Sequence, residues 1–266
     1  MKVINSNFFT EAVRYIKFGA SFGWHERNAG NISLRLLPSE IVTVKDDIAD
    51  ADVWIKLPHR VLNMADEYIF TTVSGSYFID IDHDIEHKFC ICKISRDGSA
   101  YSVVWGGEKP TSEFFGHVLS LSELKSKGAR RAVYHAHPAN SIALSYLIPS
   151  DDKSFSEAIW ESETECPFVI PNGVGVLGFH IPGSYELAKA TSEKIKLYNA
   201  VIWSFHGVFA TGESIMDAFG LVAALEKSAE IKLKVMSAGV RINTISKEQQ
   251  KATAEYYGFA LNEFKF

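Results

Sequence analysis

The sequence predicts a single α/β domain over residues 1–266, with a central sheet covered by helices. Three observations lead there. Strand-like and helix-like runs are interleaved from end to end. No internal repeat, low-complexity tract or linker rich in Pro, Gly or Ser divides the chain. Apolar residues at 47% and charged residues at 22% give the balance of an ordinary globular protein, and the length allows a sizeable core.

Residues 6–23 read as a first helix, with Phe9, Val13, Ile16 and Ala20 at helical spacing and Asn5 or Ser6 as its cap. Trp24-His25-Glu26-Arg27-Asn28-Ala29-Gly30-Asn31 follows as a polar loop. Residues 32–36 alternate apolar and polar as a strand does, and 46–52 form an acidic surface excursion. Residues 68–73 are a second strand, ending at Ser74-Gly75-Ser76. Residues 88–94 and 100–105 flank Arg96-Asp97-Gly98-Ser99, a hairpin signal because Asp-Gly tolerates the backbone of a tight turn. Pro110-Thr111-Ser112-Glu113 opens a helix that runs to about Lys125, since proline and hydroxyl residues belong at helix starts.

Residues 132–135 form a short strand closed by Pro138, and 139–147 and 155–160 read as helices. Residues 167–171 and 174–179 look like strands parted by Asn172-Gly173. Residues 184–197 are helical, 200–205 form a continuous apolar strand, and 215–237 make the longest helix, stopped by Gly239. Ser246 and Gln249 form a capping box for a last helix ending near Gly258.

Charge and composition exclude several classes. A net charge of −5 leaves no basic surplus for nucleic acid. No run of 18 apolar residues is present for a membrane span, and the N-terminus lacks the apolar run and cleavage site of a signal peptide. Cys90, Cys92 and Cys166 are too few and odd in number for a disulfide framework, so a cytoplasmic location is expected.

The strongest chemical feature is His135-Ala136-His137. On a strand, residues i and i+2 share a face, so both imidazoles turn to one side where an apolar run ends. His206-Gly207 stands at the end of another apolar strand, and Gly207 leaves room for close approach. A His-x-His pair alone is more often incidental than not. Joined by a second strand-end histidine, it points to a metal site with an open position, the pattern of catalytic zinc. Glu113, in the first turn of a helix, reads first as a capping-box residue and second as a functional carboxylate. Asp82-His83-Asp84 with His87 is a solvated loop, and Cys90-Ile91-Cys92 a pair of buried small residues.

Five ordered segments together carry a resemblance: the loop from Gly23 to Asn31, Pro110-Thr111-Ser112-Glu113, His135-Ala136-His137-Pro138, Trp160-Glu161-Ser162-Glu163-Thr164-Glu165-Cys166 and Phe205-His206-Gly207-Val208-Phe209. The chain resembles, over nearly its whole length, the class II aldolases that act on ketose 1-phosphates. The resemblance implies a mainly antiparallel sheet covered by helices in one domain. It implies one zinc ion per subunit on His135, His137 and His206, with Glu113 as acid/base. Asn28, Asn31, Ser74, Gly75, Thr111 and Ser112 would line the phosphate pocket, and Glu165 would reach the site of a neighbouring subunit in a cyclic homotetramer. The implied reaction is reversible cleavage of L-rhamnulose 1-phosphate to dihydroxyacetone phosphate and L-lactaldehyde, in rhamnose degradation. The ion takes the place of a Schiff-base lysine in such chemistry.

Two departures stand out. Thr72-Val73-Ser74-Gly75-Ser76 occupies the place of Thr-Gly-Ser-Gly-Lys, and Ala29 replaces a glycine, which requires a negative φ there. Arg27 is the one Arg or Lys in the phosphate segments. Cleavage of L-fuculose 1-phosphate or another ketose phosphate, and epimerase or dehydratase chemistry, are the alternatives on the same scaffold. An adducin-like binding module is disfavoured because all three histidines and Glu113 are present. A zinc hydrolase rests only on three histidines and a glutamate.

Overall fold

The computed structural model describes residues 1–240 and 243–264. The helices are α1 (Asn7–Ser21), α2 (Pro38–Val44), α3 (Phe114–Lys125), α4 (Ala139–Leu144), α5 (Asp152–Trp160), α6 (Cys166–Val169), α7 (Tyr185–Ile195), α8 (Ile215–Ser237) and α9 (Lys247–Tyr257). The strands are β1 (Asn31–Arg35), β2 (Ile55–Lys56), β3 (Tyr68–Thr72), β4 (Phe89–Ile94), β5 (Ala100–Gly106), β6 (Ala132–Ala136), β7 (Gly175–Leu177), β8 (Ala200–Trp203) and β9 (Gly207–Gly212). Among the described residues, the nine strands join one sheet in the order β2-β5-β4-β3-β1-β6-β9-β8-β7. Every pairing is antiparallel except β7 with β8, which α7 connects as a crossover.

Period-two alternation divides the core between the two faces of the sheet. Tyr134 and Ala136 of β6 pack with apolar residues of α1, α4, α5 and α8. Val133, in the opposite phase, packs on the other face with residues of α3 and α7. His135 shares the phase of Val133 and so turns toward α3. The caps are those the sequence predicts: Ser6 accepts from Phe9 N–H, Ser246 and Gln249 bond reciprocally, and α8 spans 215–237. Among the described residues no helix is long and apolar enough to cross a membrane.

Several boundaries differ from the sequence reading. Residues 167–171 do not form a strand. Glu165 O accepts the N–H groups of Phe168 and Val169, which makes α6 a single helical turn with Pro167 at its start. The strand expected over 200–205 stops at Trp203. The chain turns through Phe205, at φ 68°, and returns as β9, an unpredicted strand. The helix expected from Pro110 begins at Phe114, with Glu113 at its N-cap position. α2 and β2 were also not anticipated, although Pro38 and Glu40 mark the start of α2.

Candidate metal centre

β6 is held on both edges, by β1 and β9, with His135 opposite Asn31 on one side and Phe209 on the other. This double ladder fixes His135 and delivers His137 just beyond the strand end. His206 lies not at a strand end, as the sequence suggested, but in the turn between β8 and β9. Glycine at 207 permits the approach: a Cβ there would stand 2.4 Å from Ala136 O and 3.0 Å from His137 Cδ2.

The three rings converge. Their centroids are 5.0 to 5.1 Å apart, and one nitrogen from each lies within 4.8 Å of the others. Among the described residues this is the one group of three or more His, Cys, Asp or Glu so arranged. His135 Nδ1 is 3.0 Å from Val208 O, and His137 Nδ1 is 2.7 Å from Glu26 Oε1. A carbonyl and a carboxylate only accept, so both rings carry hydrogen on Nδ1, which leaves Nε2 as the atom each has for an ion. His137 Nε2 is buried and without a hydrogen-bond partner. Such an orphan acceptor costs about 1–3 kcal/mol unless something fills its place. Burial, reinforced by His137 and His206, holds His135 well below the ordinary imidazole range. Burial and then His137 push His206 down to about 4. Both rings are therefore neutral near pH 7 and offer lone pairs, a donor set that fits a first-row divalent ion.

Glu113 does not cap its helix through its side chain. The carboxylate turns toward the sheet: Oε2 accepts from Asn31 Nδ2 at 2.8 Å and lies 3.6 Å from His135 Nε2. Burial raises its proton affinity, against the opposing pull of the Asn31 hydrogen bond and His137. The capping-box reading gives way for this reason, and the register of β1 against β6 supplies the explanation, since Asn31 sits directly beside His135.

The expected phosphate residues, apart from Asn31 at the start of β1, occupy loops that meet at the same end of the sheet. A bridge between Val73 and Pro110, with Ser74 N–H on Lys109 O at 2.9 Å, ties the 74–75 turn to the 110–112 segment. Thr111 and Asn31 are buried, whereas Asn28, Ser74, Gly75 and Ser112 are exposed. Ala29 avoids positive φ, which falls on Arg27 at 52° and Gly30 at 74°. Val73 serves as a bridge residue, and Ser76 is buried with its hydroxyl toward Lys88 O. Arg27 Nε donates to the Tyr77 hydroxyl at 3.1 Å. Glu165 is exposed at the start of α6, and no hydrogen bond or ion pair ties it to the histidines among the described residues.

The sequence reading passed over Glu26 and Trp203. Glu26 was in a quoted segment, but nothing local marks a carboxylate that meets a ring 111 residues away. Trp203 lies 4.5 Å from His135 and 5.1 Å from His206, centroid to centroid, as the apolar wall of the cluster. The other candidates stay inert. His87 pairs with Asp84 at 2.6 Å on the exposed surface. Cys90 and Cys92 are buried with sulfurs 3.9 Å apart, and burial pushes the Cys166 thiol up to about 12.

Comparison with known proteins agrees with this geometry. The family model described as the class II aldolase and adducin N-terminal domain matches residues 11–233. A rhamnulose-1-phosphate aldolase of Mannheimia succiniciproducens is 39% identical over 241 residues, covering 89% of each chain. That of Yersinia pseudotuberculosis is 38% identical over 237 residues, covering 87% of this chain and 86% of its own. A sugar-phosphate aldolase from Thermotoga maritima superposes with a TM-score of 0.73 at 30% identity, covering 86% of this chain and 94% of that one. With a matching family model, relatives of this similarity and a histidine cluster at the end of the shared sheet, the chain belongs to the class II aldolase and adducin family, among its aldolases.

Proposed function

We propose that the chain cleaves L-rhamnulose 1-phosphate reversibly to dihydroxyacetone phosphate and L-lactaldehyde, a step of rhamnose degradation, with one zinc ion per subunit on His135, His137 and His206. The observation that carries this reading is the convergence of three imidazoles beside a buried carboxylate, Glu113, 3.6 Å from His135 Nε2. The substrate is taken from the two relatives that bear its name.

When bound, the divalent ion supplies positive charge where negative charge develops on the ketose oxygens. Glu113 handles the proton. In the synthetic direction its carboxylate removes a proton from the hydroxyl-bearing carbon of dihydroxyacetone phosphate, and in cleavage it returns one. A carboxylate whose proton affinity is raised by burial suits both tasks. Asn31 orients Glu113 through its Nδ2, and its buried Oδ1 remains an acceptor without a protein partner. Asn28, Asn31, Ser74, Gly75, Thr111 and Ser112 receive the phosphate through amides, hydroxyls and backbone N–H groups. Trp203 limits water on one side of the histidines.

We read residues 1–266 as one domain in the cytoplasm, acting as a cyclic homotetramer in which Glu165 completes the site of a neighbouring subunit. Its exposure, with no hydrogen bond or ion pair to the histidines of its own chain among the described residues, supports that role. Light scattering gives the oligomeric state.

The test is a coupled assay for dihydroxyacetone phosphate with L-rhamnulose 1-phosphate and L-fuculose 1-phosphate, with and without a chelator. The expected result is faster release from the first substrate, abolished by the chelator and restored by zinc. An isomerised or dehydrated product, or turnover indifferent to the chelator, rejects the proposal.

A further inference from the structure

The loop over residues 24–30 has no regular structure, yet it supplies the partner of a metal ligand. Within it, His25 plays no part in the reading above. Its ring is buried. Nδ1 lies 3.2 Å from Ala29 O, which closes the loop on itself, and Nε2 lies 2.7 Å from the hydroxyl of Tyr134, the β6 residue beside His135. Phe78 meets the ring edge-on at 5.2 Å. The ring fills space left by two glycines: a Cβ on Gly19 of α1 would stand 2.7 Å from Nε2, and one on Gly30 would stand 2.2 Å from Nδ1. His25 thus pegs the loop to α1, to β6 and to its own far end.

Both sequence neighbours of this peg touch His137. Trp24 O accepts the His137 backbone N–H at 2.9 Å, and Glu26 Oε1 takes the Nδ1 hydrogen at 2.7 Å. The Glu26 side chain is 63% exposed. A solvated carboxylate pair contributes little by itself and loses side-chain freedom when it forms, so its geometry depends on ordered backbone beneath it. That backbone includes Arg27 at φ 52°, a conformation that tertiary contacts must impose.

We infer that His25 is a positioning residue for the metal ligand His137: it anchors the loop so that Glu26 meets Nδ1 and leaves Nε2 turned toward the other two imidazoles. This rests on the three-histidine reading of the metal centre.

The full-length protein, loaded with Zn²⁺ and titrated with a chromophoric chelator, reports metal affinity without turnover. Glu26→Ala and His25→Ala are each expected to weaken Zn²⁺ roughly tenfold or more. The double variant is expected to be no weaker than the worse single one, because both changes cut the same path. His25→Asn, which keeps a donor toward Ala29 O, is expected to recover part of the loss. Tyr134→Phe, which removes only a hydroxyl, gives a smaller loss in the same direction and serves if His25→Ala does not fold. Thermal unfolding of the metal-free proteins separates affinity from global stability. Losses that multiply, or Zn²⁺ affinity unchanged in the His25 and Tyr134 variants, overturn the inference. His137→Ala in parallel separates the two levels. If it keeps parental affinity, the three-histidine reading fails; if it loses the metal while His25 and Glu26 act independently, only this inference fails.

Discussion

At one end of the site His135 sits inside an antiparallel ladder, 1% exposed, with its Nδ1 bonded to the backbone of β9. At the other, Asn28, Ser74 and Ser112 stand on loops in solvent, and their side chains make no hydrogen bond among the described residues. The first end is preorganised, with hydrogen bonds fixing the rings of His135 and His137 and packing on Trp203 holding His206 before any ion arrives. The second has donors that remain free for a ligand and gain their partners only from it. Changes at the metal end should therefore abolish the reaction, and changes at the phosphate end should weaken binding.

The largest expected effect comes from His206→Ala, which leaves two imidazoles for the ion. Loss of several kcal/mol of charge stabilisation should cost about 10³-fold or more in kcat/KM. Metal analysis of the purified variant checks it, and a full complement of zinc would break the comparison. Glu113→Gln comes next: zinc should stay bound while kcat falls on the order of 10² to 10⁴. Near-parental kcat would remove Glu113 from the proton step. At the other end, Ser74→Ala or Ser112→Ala should raise KM roughly tenfold with kcat little changed, the signature of uniform binding lost with one hydrogen bond to an anion. A fall in kcat with KM constant would show that the loops are as preorganised as the strands.

A separate effect concerns stability. Burial pushes His117 down to about 3 from an ordinary 6.5, and its Nδ1 lies 2.7 Å from Ser33 Oγ. Because the folded state resists protonation, the unfolded chain takes up the proton first as pH falls. The stabilisation is complete above pH 6.5 and is lost progressively between pH 6.5 and about 3, at roughly 1.4 kcal/mol per unit. Urea unfolding of the metal-free protein at pH 7 and pH 5 should show the slope, and His117→Gln should reduce it. An undiminished slope would assign the acid sensitivity elsewhere, His25 being the other ring held down to about 3 by burial.

The metal end was also the more legible of the two in sequence. His135 and His137 are two residues apart, the spacing that shares one face on a strand, although β6 itself ends at Ala136. The long helix α8 and the cap of α9 followed from periodicity and from Ser246 with Gln249. Short apolar runs were ambiguous. The segment at 167–171 carries β-formers between prolines, yet Trp160 Nε1 donates to Ile170 O and the run winds as one turn beneath α5. β9 was hidden because glycines bound it, and its pairing with β6 is what brings His206 onto the histidine pair.

What the sequence determined by itself was local: which residues offer ligand atoms, which of them share a strand face, and where helices start and stop. Those properties depend on backbone geometry over a few residues. The tertiary structure decided the rest: that His206 meets the pair, that Glu26 and Val208 O set the ring tautomers, and that Glu113 faces Asn31 and His135 rather than its own helix. Desolvation and hydrogen bonds between distant segments exist only once the segments have packed, so no window of sequence contains them.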